Sequence, residues 1–286
     1  MQDFEAQTRA FAAQIEGELE AGHLNFPTSM NISLRIKQRA DDPDSSIDDI
    51  VAIVRGEPVL SAKAIRMANA MLLNPYGAHI TSLNNAVKRI GLAALRCLSF
   101  AVAAEQLAQD HRSKQSQQIA EQLWHHSIDI ASWSYAFAHR LRTANPDAAM
   151  LAGLMVDIGQ FFLLSRVSAY PALEANLDRF AEFVAVWHEP IARSVLEIFE
   201  LPDDILDAFA FEYPYGSEWP PASLRDIVRT ATLATEIVNP FDTLLKIPPR
   251  VELFDNGLAG IDREQFEELL NEARAGKDSM IEAICG

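Results

Sequence analysis

Cysteine is nearly absent. Cys97 and Cys285 are the only two in 286 residues, which excludes a disulfide framework and any zinc-finger spacing and suits a reducing compartment. Glycine (12) and proline (14) are too sparse for a collagen-like or low-complexity chain. Basic residues are outnumbered, with 24 Lys and Arg against 40 Asp and Glu, a net charge of −16. That balance disfavours nucleic-acid binding, which needs clustered cations to release phosphate counterions. The first 22 residues carry five acids and one base, without the basic start and apolar block of a signal peptide. The most apolar stretch, 151–165, is broken by Asp157 and Gln160 and falls short of a membrane span. Cys285 stands next to last, whereas a prenylation box needs its cysteine four from the end. The expectation is therefore a cytoplasmic chain with no membrane partner. Also missing are a Gly-x-Gly-x-x-Gly turn, a Walker lysine loop and a Gly-x-Ser-x-Gly elbow.

What is present reads as helix, with no convincing strand alternation and no internal repeat. Apolar residues Phe4, Phe11, Ile15 and Leu19 predict a helix over 4–20, stopped by Gly22. Ile32, Leu34 and Ile36 open a second helix, which ends in an acidic turn. Ser46 and Asp49 have capping-box spacing and start a helix over 47–54. Pro58 suits the first position of the next, which reaches about 71. Thr81 or Ser82 caps another, which Gly91 separates from an apolar helix over 92–107. Longer helices are expected over 119–142 and 146–156, with a joint at Gly159. Helices of about 10 to 18 residues then follow near 170–179, 190–199, 203–211 and 222–238. A proline-rich loop over 213–221 separates the last two. From Asp262 the tail predicts one or two short acidic helices, with Phe266, Leu269 and Leu270 on one side.

Charge is distributed unevenly. Residues 1–25 carry a net −4, residues 26–115 a net +3 and residues 116–286 a net −15. This shift near 115 suggests an N-terminal helix (1–25), two helical lobes (26–115 and 116–239) and an acidic helical tail (240–286). The bases Arg35, Lys37, Arg39, Lys63, Arg66, Lys88, Arg89 and Arg96 form either solvated helix faces or a positive surface that docks on acidic groups.

A series of short motifs stands in register across the chain. Phe26-Pro27, Asp42-Pro43-Asp44 and Ser46-Ile47-Asp48-Asp49-Ile50 are followed by Glu57-Pro58-Val59-Leu60 and Arg66-Met67-Ala68-Asn69. Tyr76-Gly77 and Ile90-Gly91-Leu92 come next, then Leu123-Trp124-His125-His126-Ser127, Ala152-Gly153-Leu154, Asp157-Ile158-Gly159, His188 and Leu201-Pro202. With these motifs, residues 26 to about 238 resemble the HDOD domain, the HD-related output domain of bacterial signalling proteins.

The resemblance implies an all-α, HD-like fold and descent from phosphohydrolases that hold divalent metals with a His, a His-Asp pair and a later Asp. Carried over by motif, these positions fall on His126, Val156, Asp157 and Thr232, and a further His-His pair of the family falls near Glu212-Tyr213. Two of the four ligands are thus replaced by Val and Thr, whereas a catalytic metal site ordinarily keeps three protein ligands. The expectation is no catalytic residue, no cofactor and no metal, with His126 and Asp157 hydrogen-bonding inside the core. The alternative is a divalent metal in a rearranged site that uses His125, His126 and Asp157, with Glu212 or Asp129 recruited. His188 reads as a cap or packing residue, Cys97 as an inert buried thiol, and Trp124, Trp133 and Phe137 as core.

Two functional classes follow. The first is a non-catalytic regulatory module that acts in trans by binding a signalling protein or small effector. The second is a phosphohydrolase or phosphodiesterase with an altered metal site. Homodimerisation through the N-terminal helix or the tail competes with packing of those helices within the chain.

Overall fold

In the computed structural model the described residues are 2–22, 24, 31–70, 73–74, 77–109, 113–199, 201, 203–209, 219–248, 261 and 263–285. Every regular element among them is helical, as the apolar spacing predicts.

The N-terminal helix α1 (Gln2–Glu20) precedes the first lobe, which holds α2 (Asn31–Asp41), α3 (Ile47–Arg55), α4 (Pro58–Asn69) and α5 (Leu83–Gln109). Local chemistry sets these boundaries. The Ser46 hydroxyl accepts from the Asp49 amide while the Asp49 carboxylate accepts from the Ser46 amide, closing the capping box of α3. Ser46→Ala is expected to cost about 1 kcal/mol in urea unfolding. Gly91, with φ of +78°, kinks α5 where the sequence places a joint.

The second lobe is built on α6 (Lys114–Leu141), which packs against α7 (Pro146–Met155), α12 (Leu224–Ala234), α5 and the tail helix α14 (Arg263–Cys285). Between them lie α8 (Ile158–Leu164), a short 3-10 turn (Val167–Ala169), α9 (Pro171–Glu174), α10 (Leu177–Ile198), α11 (Asp203–Ala208) and α13 (Pro240–Leu244). Trp124, Trp133 and Phe137 are buried, the last two stacked with ring centroids 5.2 Å apart.

Four expectations change. Gly159 lies inside α8, and the chain bends two residues earlier, at Val156-Asp157. The helices expected near 170–179 and 190–199 are instead the short α9 and one 22-residue α10 that runs through Pro190. Pro190 is tolerated because it lies on the solvent face, and the carbonyl left without a donor belongs to Val186, which is 67 % exposed. The tail forms a single 23-residue helix whose Phe266, Leu269, Ala273, Met280, Ala283 and Ile284 are buried. The apolar stretch is also long enough for a span when counted over Pro146–Ala169, but 83 % of its 18-residue apolar window is buried in the fold and the bend interrupts it. The loop over 213–221 lies mostly outside the described residues, as do Phe26-Pro27, Glu212-Tyr213 and Tyr76.

The apolar faces of α1 and α14 are covered within the chain. Phe11 stacks on Tyr170 and Phe183, with centroids at 4.7 and 5.1 Å, and Glu18 pairs with Arg166 at 2.9 Å. On the tail, Lys277 pairs with the buried Asp129 at 2.8 Å, Arg140 pairs with Glu272 at 2.9 Å, and Lys63 donates to the Ile284 carbonyl. Four of the eight grouped bases of the first lobe meet acids of the same lobe: Lys37 and Arg96 reach Asp41, Arg39 reaches Asp42 and Lys63 reaches Glu105. The lobes join through apolar packing of α5 on α6 and α7.

Candidate functional site

The site begins with two close helix contacts. A Cβ on Gly153 of α7 would lie 2.6 Å from the Ala131 Cα of α6, and one on Gly159 of α8 would lie 1.9 Å from the His188 carbonyl oxygen of α10. Only glycine admits backbones that near. These contacts hold the bend between α7 and α8 against α6, so that Asp157 faces His126 and Ser127.

Asp157 stands at the N-cap position of α8 but makes no side-chain cap. Its carboxylate turns into the core instead. Oδ2 accepts from His126 Nδ1 and from the Ser127 hydroxyl, both at 2.8 Å, and Oδ1 accepts from Asn239 Nδ2 at 3.1 Å. His126 is 2 % and Asp157 3 % exposed. Asn239 also donates to Gln160 Oε1 at 2.9 Å, and its own carbonyl oxygen caps α13 by accepting from the Phe241 amide at 2.8 Å. Three chain segments thus converge on one carboxylate.

Other predicted positions lie around this network without joining it. Val156 lines a cavity of about 230 Å³ beside Asp157, Gln160 and His188. Thr232 lines a second cavity, of about 280 Å³, together with His126, and its hydroxyl donates to the Arg229 carbonyl at 2.7 Å. His125 is exposed on the other face of α6, one residue and about 100° of helix turn from His126. Asp129 is taken by Lys277. Neither His125 nor Asp129 reaches Asp157, so the rearranged ligand set does not assemble among the described residues.

A divalent metal does not fit these residues. Both Asp157 oxygens already accept hydrogen bonds from protein donors. Val156 supplies only hydrocarbon, and among the described residues no group of three His, Cys, Asp or Glu side chains is placed to hold a metal. The Asn239 carboxamide lies on Oδ1 where a cation would be needed, and it compensates the buried charge with a neutral donor.

Ser127, Gln160 and Asn239 are the members that residue patterns passed over. In the sequence Ser127 is an ordinary helix residue and Gln160 an interruption of an apolar run. Asn239-Pro240 reads as a segment boundary, and nothing local shows that its amide reaches a carboxylate 82 residues earlier.

Burial lowers the His188 pKa below the ordinary imidazole value near 6.5, against the opposing pull of Glu189, Asp157 and Asp242. The folded state therefore prefers neutral His188. Its contribution is complete above the unfolded pKa and is lost as pH falls through the folded one. His188→Gln is expected to flatten the decline in stability between about pH 6.5 and 5, measured by urea unfolding across that range. Burial also raises the Cys97 pKa strongly, which keeps that thiol protonated and inert.

The sequence model of the HDOD domain matches residues 26–215. The chain belongs to the HDOD family. Crystal structures share its fold. One is a Shewanella amazonensis protein whose name proposes a metal-dependent phosphohydrolase, 23 % identical with a TM-score of 0.68 over 96 % of this chain and 99 % of that one. An HDOD domain protein of unknown function from Geobacter sulfurreducens is 22 % identical, with a TM-score of 0.54 over 96 % and 98 % of the two chains. A Marinobacter aquaeolei protein whose name proposes a role in signal transduction is 20 % identical, with a TM-score of 0.53 over 96 % of this chain and 65 % of that one. An uncharacterized Treponema pallidum protein is 22 % identical over 259 residues, 84 % of this chain. This HDOD chain spans about half of that relative, 46 % of its length.

Proposed function

We propose that this HDOD chain is a non-catalytic regulatory module that acts in the cytoplasm by binding a signalling protein or a small effector. The observation that carries the reading is that both oxygens of the Asp157 carboxylate accept hydrogen bonds from protein donors, His126, Ser127 and Asn239, while the positions where the family resemblance expects two further ligands hold Val156 and Thr232. A hydrolase descended from this fold needs an open cation site to activate water and neutralise a phosphate. Here the same residues join α6, α8 and α13. The site has become part of the scaffold, and function passes to surfaces and cavities around it.

The test is metal analysis of the purified chain with hydrolysis of bis(p-nitrophenyl) phosphate in the presence of Mn²⁺. The expected result is no stoichiometric metal, no turnover that depends on His126 or Asp157, and a melting midpoint unchanged by EDTA. Bound metal and turnover, both lost in His126→Ala, would establish an altered phosphohydrolase instead.

A further inference from the structure

The cavity beside Val156 lies between the α7–α8 bend, α10 and α13. Its volume is about 230 Å³, and an apolar space of about 150 Å³ already takes a benzene ring. Val156, Val184, Phe241 and Leu245 give it apolar walls, and the exposed Ala185 and Ile247 stand at its mouth. A large apolar side chain left in water beside a concavity marks a place where an apolar body can settle.

One polar group on these walls is unmet. Gln160 is 9 % exposed, and the network around it fixes which way its amide points. The Phe241 backbone N–H can only donate, so the Asn239 atom 2.8 Å from it is the carbonyl oxygen. Asn239 Nδ2 therefore faces Asp157 and Gln160. The Gln160 atom 2.9 Å from that donor must accept, which makes it Oε1 and turns Nε2 the other way. No described residue accepts from Nε2. Nor is that nitrogen an orphan sealed in the core, so its N–H groups open on the cavity that Gln160 lines. A side chain nine-tenths buried thus presents donors to an apolar space that offers them no acceptor. The occupant this calls for brings a lone pair and little else that is polar. An anion is turned away by the Asp157 and Asp242 carboxylates on the same wall, and a cation brings no acceptor.

Resting on the non-catalytic reading above, we propose that this cavity is an effector site for a small uncharged carbonyl compound, an amide or ketone carried on a single ring. The carbonyl oxygen accepts from Gln160 Nε2, and the ring lies among Val156, Val184, Phe241 and Leu245. Such a ligand touches the α7–α8 bend, α10 and α13 together. Its occupancy fastens α13 to α8 and α10, which already meet at Gly159.

Calorimetric titration of the full chain with benzamide, and separately with benzoate and benzylamine, tests this. Benzamide is expected to bind one to one with a dissociation constant of about 1 mM or tighter, and both charged probes roughly tenfold more weakly or worse. Gln160→Glu keeps an oxygen for Asn239 but removes the donor, and is expected to weaken benzamide roughly tenfold or more. Leu245→Trp, which fills the cavity, is expected to abolish binding while retaining the helical circular dichroism. In the wild-type chain the Gln160 side-chain NH2 resonances are expected to shift on saturation with benzamide, a readout that needs no variant to fold. No binding of benzamide, binding no tighter than that of the charged probes, affinity unaffected by both variants, or unmoved Gln160 resonances would overturn the proposal. Metal content and phosphodiester hydrolysis, measured on the same preparation, show separately whether the non-catalytic reading stands.

Discussion

Asp157→Ala is expected to lower the unfolding free energy by about 3–5 kcal/mol, the range for removing one partner from a buried charged network. The residue is 3 % exposed and accepts from three protein donors. Alanine leaves the His126 ring N–H, the Ser127 hydroxyl and one Asn239 N–H without an acceptor in a place water enters poorly. The loss extends beyond the pair itself, because Asn239 also starts α13 and bonds to Gln160. Asp157→Asn is expected to cost less, about 2 kcal/mol, since its carbonyl oxygen replaces one acceptor while its amide opposes a donor. Urea unfolding with and without EDTA checks both. A destabilisation of wild type by EDTA as large as that caused by Asp157→Ala would assign the residue to a metal instead of to the scaffold.

Gly159→Ala is the second large effect, roughly 2–4 kcal/mol of destabilisation. The added methyl would lie 1.9 Å from the His188 carbonyl oxygen, a backbone atom with no rotamer to yield. Relief requires α8 to move away from α10, and that movement carries Asp157 away from His126. Gly17→Ala in α1 is the control: nothing lies within 4 Å of its Cβ position, so helix propensity predicts a gain of about 0.5–1 kcal/mol. Thermal or urea unfolding of the two variants should shift in opposite directions. A Gly159→Ala chain as stable as wild type would rule out the close α8–α10 contact.

Helix ends set by local chemistry were legible. The Ser46 and Asp49 box, Pro58, the Pro146 start of α7 and the Gly91 kink each act within a few residues. Elements set by distant neighbours were not. Pro190 reads as a helix start until its solvent-facing position in α10 is known, and Gly159 reads as a joint until the His188 backbone is placed against it. The tail reads as short acidic helices because the surface that buries Phe266 and Met280 belongs to other helices.

The same division runs through the candidate site. The amino-acid order by itself determined an all-α chain and an HDOD resemblance, and it put Val156 and Thr232 at two positions where that resemblance expects ligands, because residue identity and helical period are local properties. Only the tertiary structure decided what the surviving His126 and Asp157 do. Asn239 lies 82 residues beyond Asp157, and no spacing rule connects a helix cap to a buried carboxylate that far away. Desolvation makes the connection. A charge withdrawn from water must find donors among whatever segments the packing brings to it, and here the packing brought a neutral amide.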